Sequence, residues 1–264
     1  MADTLRDALQ VVRLQAFDDN YIWLLQELET GAVGVVDPGD AAPVLAALDA
    51  RGWTLSRIFV THHHGDHIGG LAALKARFPA ARIIAAAADA HRIAPIDQTA
   101  AEGDLIPFGA LTARVLAVPG HTSGHVAYWF EQAAALFCGD ALFAQGCGRL
   151  FEGSAAQMWD SLQKLRALPG DAAVYCAHEY TAGNARFAAA LTPDDPALAA
   201  RAAEVADLRA RNLSTVPTRL ADERRLNPFL RADDADFAAA AGLAGADPAE
   251  VFAEIRRRKD AFRG

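Results

Sequence analysis

Thr61-His62-His63-His64-Gly65-Asp66-His67-Ile68-Gly69-Gly70 places four imidazoles and one carboxylate within residues 62–67. So dense a set of nitrogen and oxygen donors reads first as a metal site. The apolar run Arg57-Ile58-Phe59-Val60 ahead of it predicts a buried strand, and Leu71 to Phe78 behind it a helix. The donors therefore fall on a loop at a strand's carboxyl end, where α/β proteins place their chemistry. His62, His64 and Asp66 alternate, so an extended loop aims them to one side while His63 points away. A turn between Asp66 and His67 adds a ligand at another angle. An expression tag would be a pure terminal histidine run, whereas this cluster is internal, interrupted by Asp66 and closed by Gly69-Gly70.

Upstream, Val11 to Phe17, Tyr21 to Glu27 and Ala32 to Val36 predict strands, the first two joined at the turn Asp18-Asp19-Asn20. The third ends in Asp37-Pro38-Gly39-Asp40, a turn whose Asp37 is also placed to hold the free nitrogen of a ligating histidine. Pro43 to Ala50 reads as a helix. Downstream, Ile83 to Ala87, Leu105 to Phe108, Leu111 to Val118, Val126 to Phe130, Ala134 to Cys138 and Ala172 to Cys176 read as strands. Three of them run directly into polar groups: His121 in Pro119-Gly120-His121, Asp140 after Gly139, and His178 in Ala177-His178-Glu179. His125 opens a strand and reads as a hydrogen-bonded structural residue. Ser154 with Gln157 forms a capping box ahead of a helix to Leu168. From about Asn184 the pattern is helical, broken at Pro193 to Pro196, Val216-Pro217 and Asn227-Pro228, with no strand alternation. The expected organisation is an α/β domain over 1–180 and a helical domain over 181–264.

The net charge of −8 argues against a nucleic-acid surface, which needs a field of Lys and Arg. Met1 to Gln10 lacks the apolar core of a secretory signal, and no apolar run reaches a membrane span, so a soluble cytoplasmic chain is expected. Cys138, Cys147 and Cys176 are too few and scattered for a disulfide framework or a four-cysteine zinc site, and packing is their expected role.

His62, His64, His67, His121 and His178 with Asp66 and Asp140 exceed what one ion can use; two ions can share them if one carboxylate bridges. Structural zinc sites are closed and mostly thiolate. An all-nitrogen-and-oxygen set leaves positions for water, which favours catalysis, and two ions about 3.5–4 Å apart are suited to hydrolysis.

Thr61 to Gly70, Gly120 to His125, Cys138-Gly139-Asp140 and His178-Glu179-Tyr180-Thr181 resemble, in order, the signature of the metallo-β-lactamase superfamily. Gly146-Cys147-Gly148-Arg149, Asn227 to Arg231 and Arg256-Arg257-Arg258-Lys259-Asp260 narrow the resemblance to the glyoxalase II, or hydroxyacylglutathione hydrolase, family. The resemblance implies an α/β (α+β) fold: an αββα sandwich carrying two divalent ions, zinc first with iron or manganese as alternatives, followed by a smaller α-helical domain. It puts His62, His64 and His121 on one ion and Asp66, His67 and His178 on the other, with Asp140 bridging and Asp66 orienting the attacking hydroxide. The implied substrate is S-D-lactoylglutathione, hydrolysed to D-lactate and glutathione in the second step of methylglyoxal detoxification by a monomeric chain. Arg149, Tyr180, Arg256 and Lys259 match glutathione-contacting positions; Arg149 stands where many members have Lys, and Phe151 where many have Tyr. A helix end complementing its macrodipole is the plainer role for Arg256 and Lys259. Rival readings are a mononuclear-iron persulfide dioxygenase, disfavoured by the full ligand set, a metal-dependent nuclease, disfavoured by charge, and a non-catalytic metal-binding protein.

Overall fold

The computed structural model describes residues 3–6 and 8–264, so the reading of Met1 to Gln10 lies in part outside the described residues. The chain gathers into two compact units, residues up to 117 with 122–139, and residues 118–121 with 140–264.

In the first unit, β1 (Asp3–Arg6), β2 (Leu9–Ala16), β3 (Asn20–Glu27), β4 (Val33–Val36), β5 (Leu55–Phe59), β6 (Arg82–Ala86) and β7 (Gln98–Ala100) form a seven-stranded sheet in chain order. The first four pair antiparallel; β4 to β7 are parallel, which requires crossovers. These are supplied by α1 (Ala41–Arg51) and by α2 (Gly65–Ile68) with α3 (Leu71–Arg77). The Asp40 carboxylate caps α1 by accepting from Ala42 N–H at 2.9 Å. Every residue of β4 is buried because both faces of the sheet are covered. On one face Val35, Ile58 and Ile83 pack with Val44 and Leu48 of α1 and Leu71 and Leu74 of α3.

The other face meets β8 (Leu105–Phe108), β9 (Leu111–Ala117), β10 (Val126–Phe130) and β11 (Ala135–Gly139), an antiparallel run ordered β11-β10-β9-β8. Phe59 is the hub, its ring 5.8, 5.0 and 5.9 Å from those of Phe108, Tyr128 and Phe130. Rings buried this way contribute roughly 1.5–3 kcal/mol each. The Tyr128 hydroxyl donates to the Val60 carbonyl at 2.9 Å, which pins the chain one residue before the histidine loop.

In the second unit, β12 (Leu142–Phe143) and β13 (Gly146–Cys147) form a hairpin, followed by α4 (Ala155–Arg166), β14 (Ala173–Cys176), α5 (Thr181–Leu191), α6 (Pro196–Ala210), β15 (Thr218–Arg219), α7 (Leu220–Leu226), α8 (Ala235–Ala240) and α9 (Pro248–Ala261). The capping box at Ser154 and Gln157 is formed as the sequence predicts. Pro196 ends the predicted break by sitting at the start of α6 behind its Asp195 cap, where a missing N–H costs nothing. The expectation of no strand beyond Asn184 is corrected by β15, which pairs with β14 through Val174 and Thr218. A two-residue strand is too short for alternation to show. Trp159 of α4 faces Phe252 of α9 at 6.2 Å, and Phe229 lies 5.7 Å from Phe252, giving this unit an aromatic core. Among the described residues no helix is long and apolar enough to cross a membrane.

Candidate metal centre

Within the first unit the donors gather at the carboxyl ends of the parallel strands β4 and β5. Asp37 follows β4 with φ 49°, a left-handed conformation that Asp tolerates better than most residues. It is buried, and its two oxygens are both used: Oδ1 accepts from Thr61 N–H at 2.7 Å, and Oδ2 from Thr61 Oγ1–H at 2.7 Å and His67 Nδ1 at 3.0 Å. Thr61 Oγ1 lies 3.0 Å from His62 Nδ1; with its proton given to Asp37, it accepts from that imidazole. The Nδ1 atoms of His62 and His67 thus carry protons, and Nε2 of each keeps its lone pair. Asp37, His62 and His67 form one buried cluster of donor atoms.

The loop stays extended to His64, and α2 begins at Gly65. This corrects the expectation that Asp66 continues the alternation: Asp66 and His67 are presented by a helical turn, with His67 Nε2 at 3.5 Å from Asp66 Oδ2. Gly39 is required opposite, since a Cβ there would overlap the Asp66 carbonyl. His62 Nε2 and His64 Nδ1 converge to 3.1 Å. His63 turns away, as alternation predicts, and meets the buried Asp89 carboxylate at 3.1 Å. His125 is buried and stacks on His62 with centroids 4.6 Å apart. The His67 imidazole beside it and a hydrogen bond from Asn20 Nδ2 at 2.9 Å hold the Asp66 carboxyl well below the usual carboxylate range. Asn20, read in the sequence only as a turn former, is thereby part of the site.

Within the second unit Asp140 is the centre. Its Oδ2 lies 3.4 Å from His121 Nε2 and its Oδ1 3.3 Å from His178 Nε2. The Arg149 carbonyl can only accept, and at 2.9 Å it fixes the proton on His121 Nδ1, so that Nε2 is the nitrogen able to ligate a metal. Tyr180 stacks on His178, centroids 4.7 Å apart and planes 7° from parallel. The Phe151 ring, largely exposed, stands 5.2 Å from that of His121. Arg256 is buried, its guanidinium bonded to the Cys147 carbonyl at 3.0 Å and to Asp260 at 2.7 Å. Lys259 Nζ donates to the Gly183 carbonyl at 2.9 Å, while Arg149 is exposed with Nε 3.9 Å from Asp260.

Both sets fit divalent cations. At bond lengths of 2.0–2.1 Å, tetrahedral ligand atoms stand about 3.3 Å apart, close to the 3.1, 3.3, 3.4 and 3.5 Å separations here. Imidazoles with their second nitrogen held by a carboxylate, hydroxyl or carbonyl are the usual orientation of metal ligands. All three cysteines are buried and free, in agreement with a packing role.

A family model for the metallo-β-lactamase superfamily matches residues 17–178, and one for the hydroxyacylglutathione hydrolase C-terminus matches residues 179–262. A hydroxyacylglutathione hydrolase of Methylococcus capsulatus is 54% identical, the match covering 97% of this chain and 100% of the relative. Among solved structures, ETHE1 from Myxococcus xanthus superposes with a TM-score of 0.66 at 27% identity, covering 93% of this chain and 90% of that one. TTHA1623, solved in a di-iron-bound form, gives 0.55 at 28% identity, covering 64% and 91%. With both family models matched end to end and half the residues shared with a full-length relative, the chain belongs to the hydroxyacylglutathione hydrolase family of the metallo-β-lactamase superfamily, an α/β metallo-β-lactamase fold with a helical C-terminal region.

Proposed function

We propose that the chain is a dinuclear metal-dependent thioester hydrolase that converts S-D-lactoylglutathione, as a representative 2-hydroxyacylglutathione, with water to D-lactate and glutathione. The observation that carries the reading is Asp140, a buried carboxylate whose two oxygens each face a different imidazole Nε2, the arrangement expected of one carboxylate shared by two ions. His62, His64 and His121 would hold one ion, Asp66, His67 and His178 the other, and Asp140 both. Zinc is the proposed metal; the same donors suit iron or manganese. Bound there, the ions supply Lewis acidity and make hydroxide available near neutral pH.

The chain's own residues do the rest. Asp66, kept ionised by His67 and Asn20, accepts a hydrogen bond from the attacking water and aims its oxygen at the thioester carbonyl carbon. The C–S bond then breaks, and a thiol of pKa near 8.5 leaves as thiolate without a strong general acid. Lys259 and Arg256 provide the positive field for the glycyl carboxylate of glutathione. Arg149 adds to it, and Tyr180 packs against the peptide.

The division of labour we propose is a metal-binding catalytic domain over 1–180 and a helical substrate-binding domain over 181–264, supported by the ranges of the two family models. A monomer in the cytoplasm is proposed, where buried free thiols remain reduced. The test is steady-state hydrolysis of S-D-lactoylglutathione with metal analysis of the same sample. About two ions per chain are expected; a reproducible single equivalent with full activity would overturn the dinuclear reading.

A further inference from the structure

Arg256 lies in α9, more than a hundred residues along the chain from the hairpin β12–β13, yet its guanidinium is committed there. Nη1 donates to the Cys147 carbonyl at 3.0 Å, Nε and Nη2 donate to Asp260 Oδ1 at 3.1 and 2.7 Å, and the group lies over the Phe229 ring at 4.9 Å. A planar fork bonded on two sides and stacked on a ring is fixed in orientation as well as in position.

Cys147 is two residues from Arg149, whose carbonyl accepts from His121 Nδ1. The intervening Gly148 leaves no slack: a Cβ there would overlap the Asp140 carbonyl and come within 3.0 Å of His121 Nδ1. The rest of the hairpin is held by side chains from other elements. Asn184 of α5 donates to the Ala144 carbonyl at 3.1 Å, and Asn227 donates to the Phe143 and Gly146 carbonyls at 3.1 and 3.0 Å. Glu223 of α7 accepts from Gln145 N–H at 2.7 Å. Arg256 supplies the clamp on Cys147, the hairpin carbonyl nearest the His121 contact.

We propose that Arg256 is a positioning residue for His121: by fixing the Cys147 carbonyl it fixes the Arg149 carbonyl, and through it the tautomer and rotation that aim His121 Nε2 at Asp140. The inference rests on His121 being a ligand in the proposed function but not on the identity of the thioester. It adds to any role of Arg256 toward a substrate carboxylate, and the two roles separate experimentally. A contact with substrate changes KM and leaves the affinity of the apoprotein for metal alone. A positioning role changes that affinity with no substrate present.

The experiment titrates metal-free protein with Zn2+ against a chromophoric chelator, and with Co2+ while recording its visible absorption. Arg256→Met and Arg256→Lys should each weaken one of the two ions by roughly ten- to a hundredfold, the range for losing an outer partner of a ligating histidine, and alter the Co2+ spectrum of that ion. Lys keeps the charge but not the fork. Phe252→Leu, a core change in the same helix, serves as the control; it should lower the melting temperature and leave both affinities unchanged. Wild-type affinities in both Arg256 variants, with KM for the glutathione thioester raised, would reduce Arg256 to a substrate contact and overturn the proposal. So would full rescue by Lys, which would make charge and not geometry the cause, or equal weakening in Phe252→Leu, which would make it general loosening. Failure of the wild type itself to take up two ions would instead sink the functional reading.

Discussion

At the scale of single residues, the roles proposed for Asp140 and Lys259 divide the chemistry from the binding. Asp140 is buried between two imidazole nitrogens, and Asp140→Asn removes the charge proposed to be shared by two cations. Turnover should fall far more than KM rises, with metal content falling in parallel; wild-type turnover and metal content would refute the assignment. Lys259 is different in kind. Burial, reinforced by the charges of Arg256, Arg186 and Arg149, lowers its amine to about 8. A group that must be protonated to hold a carboxylate is charged below that value and neutral above it. KM for S-D-lactoylglutathione should therefore be flat below about pH 8 and climb above it, while a short thioester lacking the glycine shows no such rise. Lys259→Ala should raise KM on the order of ten- to a hundredfold with kcat little changed, because a contact remote from the reacting bond is equal in ground and transition states. Equal losses for both substrates would assign Lys259 to the fold.

At the scale of elements, the loops are stapled by buried carboxylates. Glu27, at the end of β3, accepts from the N–H groups of Glu29 and Thr30 at 2.6 and 2.8 Å and from the Thr30 hydroxyl. Burial alone would raise its pKa, but these bonds and one from the Ala110 backbone outweigh it and hold the group at about 2. A carboxyl with a depressed folded pKa stabilises fully above its unfolded value of 4.5 and loses that contribution as pH falls through about 2. The gap in urea midpoint between the wild type and Glu27→Gln should accordingly narrow as pH is lowered from 5 toward 2. A gap independent of pH across that window would show that Glu27 titrates normally. The hairpin β12–β13 is the same device inverted, with backbone carbonyls as the acceptors and buried Asn and Arg side chains as the donors. Short elements of this kind have no stability of their own, so side chains from distant helices supply it.

At the scale of the whole molecule, the donors at the centre carry imidazoles aimed at one another and carboxylates in a chain of net charge −8. Cations that bind the folded state and not the unfolded one stabilise it by mass action, about 4.1 kcal/mol at a thousandfold excess over Kd. Removal of metal by a chelator should lower the melting temperature, and readdition of Zn2+ should restore temperature and activity together. Restoration of one without the other would separate the cation from catalysis.

The strand-end positions of His62, His64, His121, Asp140 and His178 were legible in the sequence by itself, because a buried strand is a local apolar run and the polar residue that ends it follows directly. So was the outward turn of His63, which alternation alone requires, and the capping box at Ser154. Family membership was equally legible, since its signature is carried by ordered motifs. Asp37 was legible too as the holder of a ligating histidine, but only the tertiary structure decided which imidazole it holds and what holds His62 and His121. Thr61 and Asp37 fix His62 and His67, the Arg149 carbonyl fixes His121, and Asn20 turns Asp66. Those bonds join residues up to 46 apart in sequence, and nothing in local periodicity marks which distant group will arrive. The same reason explains β7, β12, β13 and β15, strands of two or three residues defined by their partners. It also explains the burial of Arg256, which in the sequence reads as a helix-end charge or, by the resemblance, as a glutathione contact, and in the fold also bonds the Cys147 carbonyl.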